Sequence, residues 1–325
     1  LSGRKAMTNI HKEPNFFVIG AAKCGTTTLY DFLEHHPEVY MSPIKEPHHF
    51  SKDIVKEKFS DEYKHYLKTR NVNLEEYLQT DLSRKIWEWY IEDFNQYLKL
   101  FKNVRNEKAI GEISNGYLFS SVAAKEIKSQ YPNAKIVMIL RNPIERAYSH
   151  YLANVRDGRT TLNFKDELIA DSKKSEKGWC ISHCYTEMGL YYDQVKRFTD
   201  VFEKDQIKIY LNDDLKKNAE AVAKDLFTFL GVNTKVDIDF HKKQNEARLP
   251  KSAGFMKFIT QTGLKRKIFR SMPKSIQDKV KPLFFKEGKI PKMSDEDKKW
   301  LQVQFREDIN KTQNLIGRDL SSWLN

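Results

Sequence analysis

Near the start of the chain, a lysine lies among small residues and threonines in the order GAAKCGTTT, residues 20–28. A loop between a strand and a helix leaves backbone N–H groups unpaired at the helix start, where the helix dipole favours an anion. Glycine lets the backbone approach a ligand closely, and hydroxyl groups add donors. The pattern therefore predicts a phosphate-binding loop of six consecutive residues: Lys23, Cys24, Gly25, Thr26, Thr27 and Thr28.

The order of this loop differs from that of the nucleoside triphosphatases. Their loop has a glycine, four further residues and then Gly-Lys-Ser/Thr. Here Lys23 comes two residues before Gly25, and no lysine follows that glycine. The Walker pattern is excluded. Taken alone, however, the loop also fits an ordinary strand-to-helix turn with an incidental lysine.

A second candidate anion site follows the most apolar segment of the chain, residues 134–140. Arg141 comes directly after this segment, and Ser149 lies eight residues further on, in the helix that Pro143 begins. In doubly wound folds, ligands bind at the carboxyl ends of the strands. A nucleotide with phosphates at both ends of its ribose needs two such separated sites. Arg141 and Ser149 are therefore predicted to hold the second phosphate.

The elements that position these residues alternate between strands and helices. Short apolar runs predict strands at 15–21, 109–114, 134–140 and 206–211. Helical patterns follow them, and the alternation indicates an α/β fold with a doubly wound parallel sheet. We predict a single domain over 13–325 with a helical insertion at about 52–104. Residues 1–12 are interpreted as a tag remnant or a flexible terminus.

Composition limits the classes of partner. A net charge of +12 implies an anionic partner, and the even spread of lysines favours a pocket over a nucleic-acid groove.

The sequence has no apolar run long enough for a membrane span, so we predict a soluble, cytoplasmic protein. Its cysteines are Cys24, Cys180 and Cys184, which we interpret as reduced thiols. His183 leaves a metal site conceivable, but no metal is predicted, and the oligomeric state is not predicted.

These motifs closely resemble those of the sulfotransferases that use 3′-phosphoadenosine-5′-phosphosulfate (PAPS). Residues 23–28 resemble the family's 5′-phosphosulfate loop, and Arg141 with Ser149 resembles its 3′-phosphate motif. The resemblance continues through 185–214 and the closing segment 315–323, so that it covers most of the chain. It implies a P-loop-like fold, PAPS as the donor, adenosine 3′,5′-bisphosphate as the product and no metal. Lys23 is then expected to stabilise the leaving phosphate.

The same resemblance supplies a candidate base. Residues 42–50 (SPIKEPHHF) resemble a segment of the heparan sulfate sulfotransferases and many bacterial relatives, in which a glutamate at the position of Glu46 is the general base. His48 is the alternative, because other branches use histidine. Arg248, in the basic stretch 242–252, is predicted to contact the 3′-phosphate. One departure is Ile113, which stands where the heparan sulfate enzymes carry a catalytic lysine.

The sequence thus predicts transfer of a sulfuryl group from PAPS to a hydroxyl of a small-molecule natural product or a saccharide. A P-loop kinase and a polyanion-binding module with a degenerate nucleotide site are the alternatives. The acceptor itself stays open. The aromatic residues of the insertion either stack on an acceptor or pack as a core; they are Trp87, Trp89, Tyr90, Phe94 and Tyr97.

Overall fold

A computed structural model describes residues 13–325, except for 60, 62, 65, 66, 68–71, 175–182, 241–248, 263, 265–275, 277–282 and 286–290. The strands of the described part are β1 (Phe16–Gly20), β2 (Val39–Met41), β3 (Ile44–Lys45), β4 (Ile86–Trp87), β5 (Ala109–Ile113), β6 (Lys135–Leu140) and β7 (Ile207–Leu211). Five of them form one parallel sheet in the order β2-β5-β1-β6-β7, while β3 pairs only with β4. The predicted doubly wound parallel sheet is confirmed.

Helices connect the strands and pack against the sheet. In the described part they are α1 (Thr26–Glu34), α2 (Leu74–Gln79), α3 (Phe94–Leu98), α4 (Gly116–Phe119), α5 (Ala123–Gln130), α6 (Pro143–Asp157), α7 (Phe164–Ser172), α8 (Tyr191–Thr199), α9 (Asn212–Lys217), α10 (Ala219–Leu230), α11 (Ala253–Gln261) and α12 (Asp295–Ile316). None of these helices is both long enough and apolar enough to cross a bilayer.

Local chemistry sets the ends of the longer helices. The Asn142 side chain accepts a hydrogen bond from the N–H of Ile144, and Pro143 occupies the first turn of α6, where its missing N–H costs nothing. Ser294 caps α12 by accepting from the N–H of Asp297. The Asn142 cap fixes where α6 begins relative to β6, and so where Arg141 lies.

The two most apolar strands lie next to each other in the middle of the sheet. β1 is fully buried, and β6 is buried from Ile136 onward, since parallel strands covered on both faces need continuous apolar runs. From β1 the chain crosses toward β2, whereas from β6 it crosses to β7 on the other side. Such a reversal opens a crevice at the carboxyl ends of the strands. Both predicted anion sites border this crevice.

The elements that the structure describes within 52–104 are short. They include α2, α3, two 3₁₀ turns at Lys56–Lys58 and Lys99–Phe101, and the two-residue strand β4. The sequence predicts a helical insertion here but not β4, because two residues leave no periodicity to read. The pairing of β4 with β3 matters for the site, since it sets Trp87 beside Lys45.

Candidate active site

The loop between β1 and α1 has the backbone that a close approach to an anion requires. Gly25 has φ 113°, and a side chain there would press on Leu215 and Asn212 at 3.0 and 3.1 Å. The Asn212 amide donates to the Cys24 carbonyl at 2.8 Å and so fastens the loop to α9. Any residue with a Cβ would meet both strain and a clash at Gly25. The loop is therefore held rigidly with the N-terminus of α1 facing the crevice.

The six predicted loop residues differ in which of their groups are placed to contact a ligand. Thr26, Thr27 and Thr28 form the first turn of α1, where a helix leaves N–H groups without partners inside the helix, although the Thr28 N–H donates to the Gly25 carbonyl at 3.0 Å. The Cys24 side chain, in contrast, is buried with its sulfur 3.5 Å from the Tyr191 hydroxyl oxygen, and its N–H is bonded to the Ala21 carbonyl. Cys24 therefore supports the loop from behind, and nothing in its placement points to contact with a ligand.

Three arginines, Arg141, Arg146 and Arg156, lie close to Lys23 of this loop. Arg141 donates to the Lys23 carbonyl at 3.4 Å, and Arg146 is completely buried beneath it. Arg146 donates one hydrogen bond to the Tyr185 carbonyl, while its Nε and Nη1 atoms have no hydrogen-bond partner among the described residues. Burial, followed by the charges of Arg156 and Arg141, lowers the pKa of Lys23 to about 8, although Asp157 opposes the shift. Such crowding of positive charge is costly unless an anion binds there.

The residues predicted to hold the second phosphate lie at the end of β6 and on α6. Arg141, at the end of β6, is held by Glu145 through Nε and Nη2 at 3.1 and 3.0 Å. Ser149 is partly exposed, and Arg156 lies seven residues further on, which places the two on one side of the helix. Arg156 was not among the residues predicted from the sequence, although its spacing of seven residues from Ser149 was available to find it. Arg248 lies outside the described residues.

The Glu46 carboxylate lies between three polar partners. Its Oε1 accepts from Asn115 at 2.8 Å and from Lys45 at 3.4 Å, and its Oε2 is 3.5 Å from Nε2 of His48. Burial alone would raise the pKa of this carboxyl, but Lys45 and His48 outweigh burial and hold the pKa well below its usual range. Glu46 and His48 both have positive φ, 67° and 54°, a conformation that non-glycine residues adopt mostly where function requires it.

His48 is the more enclosed of the two candidate bases. Its ring stacks on Tyr90 with the centroids 4.5 Å apart, and its side chain is 2% exposed, against 17% for Glu46. The Lys45 ammonium lies 3.5 Å from the Thr27 hydroxyl oxygen, so Lys45 contacts both the first turn of α1 and the Glu46 carboxylate. The structure therefore brings Lys23, the first turn of α1 and Glu46 to one end of the sheet.

A buried carboxyl beneath Glu46 escaped the sequence analysis. Glu112, in β5, is completely buried and accepts hydrogen bonds from three hydroxyls: Ser114 at 2.6 Å, Tyr117 at 2.7 Å and Tyr97 at 3.0 Å. Ser114 accepts in turn from the N–H of His48, and Tyr117 accepts from the N–H of Phe50. Glu112 thus anchors the segment that carries Glu46 and His48 through the N–H groups of His48 and Phe50. Burial raises its pKa to about 7, although the hydroxyl donors oppose the shift.

Glu112 makes stability depend on pH. In the unfolded chain this carboxyl has the ordinary pKa of 4.5 and loses its proton as the pH rises toward 7, whereas the folded protein keeps the proton over that range. We therefore expect Glu112 to cost stability across that window, by up to about 3 kcal/mol in the free energy of unfolding. Glu112→Gln should remove this component, as measured by urea unfolding at pH 5 and pH 7.5. The exposed Glu75→Gln is the matched control, and equal pH slopes in wild type and Glu112→Gln would contradict the assignment.

The described residues contain no group of three or more His, Cys, Asp or Glu side chains that could hold a metal ion. His183 lies 3.3 Å from Asp171 and 2.9 Å from the Lys174 ammonium. Cys184 is buried, and Cys180 lies outside the described residues. Ile113 is buried at the end of β5, and its carbonyl accepts from the N–H of Glu46 at 2.7 Å.

A parallel α/β sheet with a cation-lined strand-to-helix loop at its switch point is the arrangement with which α/β proteins bind anionic ligands at the carboxyl ends of their strands. The profile of the Sulfotransferase family matches residues 14–235. The chain belongs to this family, which confirms the predicted kinship.

Relatives agree with that assignment. Human carbohydrate sulfotransferase 15 is 25% identical over 260 residues, which cover 67% of this chain and 44% of that protein. Mouse bifunctional heparan sulfate N-deacetylase/N-sulfotransferase 4 is 25% identical over 318 residues, which cover 96% and 31%. This chain thus spans less than half the length of these two relatives. The crystal structure of a sulfotransferase from Alicyclobacillus acidocaldarius is 31% identical, with a TM-score of 0.71 over 97% of this chain and 100% of that one.

Proposed function

We propose that this protein transfers the sulfuryl group of PAPS to an acceptor hydroxyl by in-line displacement. The acceptor oxygen forms a bond to sulfur as the bond from sulfur to the bridging 5′-phosphate oxygen breaks. The hydroxyl proton passes to the Glu46 carboxylate, and adenosine 3′,5′-bisphosphate leaves. Lys23 neutralises the charge that develops on the leaving phosphate, which is the main electrostatic demand of such a transfer.

The observation that carries this proposal is the position of Lys45. Its ammonium lies 3.5 Å from the Thr27 hydroxyl and 3.4 Å from the Glu46 carboxylate. An anion at the start of α1 and a base on the acceptor side would therefore face each other across Lys45. The donor's sulfuryl group would lie between them, with both its charge and its orientation controlled by the same ammonium.

Two separated groups of donors fit the two phosphates of the donor. We assign the 5′-phosphosulfate to Lys23 and the first turn of α1, and the 3′-phosphate to Arg141 and Ser149. The buried Arg146, with two nitrogen atoms unpartnered among the described residues, adds positive potential under both. Arg248 is retained as a further 3′-phosphate contact on sequence grounds only.

We assign the base to Glu46 and an orienting role to His48. Glu46 is the more exposed of the pair and is ionised at neutral pH, so it is open to an acceptor proton. A carboxylate with a low pKa is a weak base, but the acceptor becomes strongly acidic as its oxygen bonds to sulfur. The names of the relatives, which include a carbohydrate and a heparan sulfate sulfotransferase, support a saccharide as the acceptor.

The donor assignment predicts selective binding of a 3′-phosphorylated nucleotide. Adenosine 3′,5′-bisphosphate should stabilise the protein against thermal unfolding far more than adenosine 5′-monophosphate or ATP does. Arg141→Gln should raise the Kd of the bisphosphate about 10- to 100-fold, because a charge-assisted hydrogen bond contributes roughly 1.5–3 kcal/mol. The Kd of the monophosphate should stay nearly unchanged. Calorimetry with each nucleotide measures these values.

Arg105→Gln is the matched control, since Arg105 precedes β5 and lies at the opposite edge of the sheet from Lys23. It should leave the affinity for all three nucleotides unaltered. Stabilisation by ATP alone would overturn the proposed donor and favour a kinase. Equal stabilisation by any polyanion, including heparin, would favour a polyanion-binding module instead.

A further inference from the structure

Among the aromatic residues of the insertion, Trp87 differs from the others in its exposure. Tyr90 and Tyr97 are buried, and Trp89 and Phe94 pack against the core, whereas Trp87 is 51% exposed. Packing therefore explains four of these residues but leaves an indole on the surface. The exposed Trp87 lies in β4, paired with Lys45 of β3.

This indole is held in place close to the proposed base. The Lys45 ammonium lies 4.7 Å from the centroid of the Trp87 ring, and Lys45 also contacts Glu46 at 3.4 Å. The Tyr30 ring, on α1, lies 6.2 Å from Trp87 between centroids. A cation–π contact and an aromatic neighbour fix the ring orientation, so its open surface is preorganised.

Polar side chains continue from Trp87 along α1, away from Glu46. The Tyr30 hydroxyl donates to Glu34 at 3.2 Å, and the Lys85 ammonium lies 2.9 Å from the same carboxylate oxygen. Lys85 and Trp87 are two residues apart in an extended segment, so they share a face. We call Trp87, Tyr30, Glu34 and Lys85 the Trp87 strip. It offers one open aromatic ring followed by hydrogen-bonding groups.

The form of the strip favours one class of acceptor. Small apolar molecules are usually bound in enclosed pockets that bury most of their surface. In the Trp87 strip, in contrast, Trp87, Lys85 and Glu34 are open to solvent beside the buried Tyr30, and the strip leads away from the base instead of ending there. A sugar ring presents C–H groups on one face and hydroxyls at its edge, which matches an indole bordered by polar side chains. An extended strip suits a chain of such rings.

We propose that the Trp87 strip binds a saccharide unit next to the one that is sulfated, so that the acceptor is an oligosaccharide or polysaccharide chain. This inference rests on the proposed function, because it takes Glu46 as the place of transfer. It adds a subsite that selects a chain over a single sugar or a phenol. Trp87 supplies the stacking surface, and Glu34 and Lys85 bind hydroxyl or carboxylate groups at the edge of the ring.

The test measures acceptor binding to the protein saturated with adenosine 3′,5′-bisphosphate. The probes are hexasaccharides of chondroitin, heparan sulfate and α-1,4-glucan, with p-nitrophenol as the flat aromatic probe. We expect Trp87→Ala to raise the Kd of the bound hexasaccharide about tenfold, the loss that corresponds to one stacking contact. Trp87→Phe should raise it less. Neither variant should change the Kd of the bisphosphate or the midpoint of thermal unfolding.

Phe255→Ala is the matched control, because Phe255 is 53% exposed on α11 and belongs to no part of the strip. It should leave hexasaccharide binding unchanged. An unchanged Kd in Trp87→Ala would overturn the proposal, as would binding of p-nitrophenol that depends on Trp87, or failure of every hexasaccharide to bind. Failure of the bisphosphate to bind would instead overturn the proposed function, which keeps the two outcomes distinguishable.

Discussion

Replacing Glu46 with glutamine is expected to lower kcat by about 10²- to 10⁴-fold, the usual contribution of a positioned general base. The amide keeps the shape of the carboxylate and still accepts from Asn115, but it cannot take a proton from the acceptor. Donor binding should be retained, since the proposed phosphate contacts are Lys23, the first turn of α1, Arg141 and Ser149, and do not include Glu46. Initial rates of sulfated product, measured by mass spectrometry, give kcat; calorimetry gives the Kd of adenosine 3′,5′-bisphosphate.

His48→Asn distinguishes the two candidate bases. If His48 only orients Glu46, through the 3.5 Å contact between Nε2 and Oε2, its loss should lower kcat much less than Glu46→Gln does. Full turnover by Glu46→Gln together with an inactive His48→Asn would transfer the role of base to His48. Near-wild-type turnover by both variants would place the base elsewhere.

The parts of the site that were predictable from sequence are those encoded by short spacings. Lys23 and Gly25 stand two residues apart after an apolar run, and Arg141 with Ser149 follows another. Each pair sits at one strand-to-helix junction, so the local pattern already determines its placement at the carboxyl edge of the sheet. The strands β1, β5, β6 and β7 were predictable for the same reason, because a continuous apolar run favours a parallel strand, whereas β2, with three residues, was not predicted.

Contacts between distant segments were not predictable in this way. Glu112 reads as an ordinary charge in a strand, and only the fold places Ser114, Tyr117 and Tyr97 around it. Arg146 reads as the polar side of a helix, yet it is completely buried. Both are ionisable side chains that are costly to bury, and their partners come from tertiary structure. Glu112 lies beneath the segment that carries Glu46, and Arg146 lies beneath the phosphate loop. These positions follow from the fold and not from the local sequence.

The exposure of Trp87 was likewise not predictable from the sequence. In the sequence it is one of several aromatic residues that fit a core equally well. Its exposure depends on β4, a strand of two residues that pairs with β3 and turns the indole outward beside Lys45. Elements this short have no periodicity, so neither their existence nor the face they present follows from the local pattern.

The second large effect is expected at Lys23. Lys23→Met should lower kcat about 10²- to 10³-fold, the loss typical of removing one preorganised group that stabilises transition-state charge. Because methionine fills much of the same volume, the fold should be retained, and thermal unfolding checks this. The Kd of adenosine 3′,5′-bisphosphate should also rise, since the ammonium contacts its 5′-phosphate in the proposed complex.

The depressed pKa of Lys23 makes that affinity depend on pH. Burial and the neighbouring Arg156 bring the pKa to about 8, so Lys23 is charged below pH 8 and loses its proton above it. Affinity for the bisphosphate should therefore fall as the pH rises past 8, by at most about tenfold per unit. Lys23→Arg keeps its charge throughout this range, so its Kd should stay flat between pH 7 and 9.5. Identical pH profiles for wild type and Lys23→Arg would mean that the titrating group is another residue, and that Lys23 does not bind the 5′-phosphate as a cation.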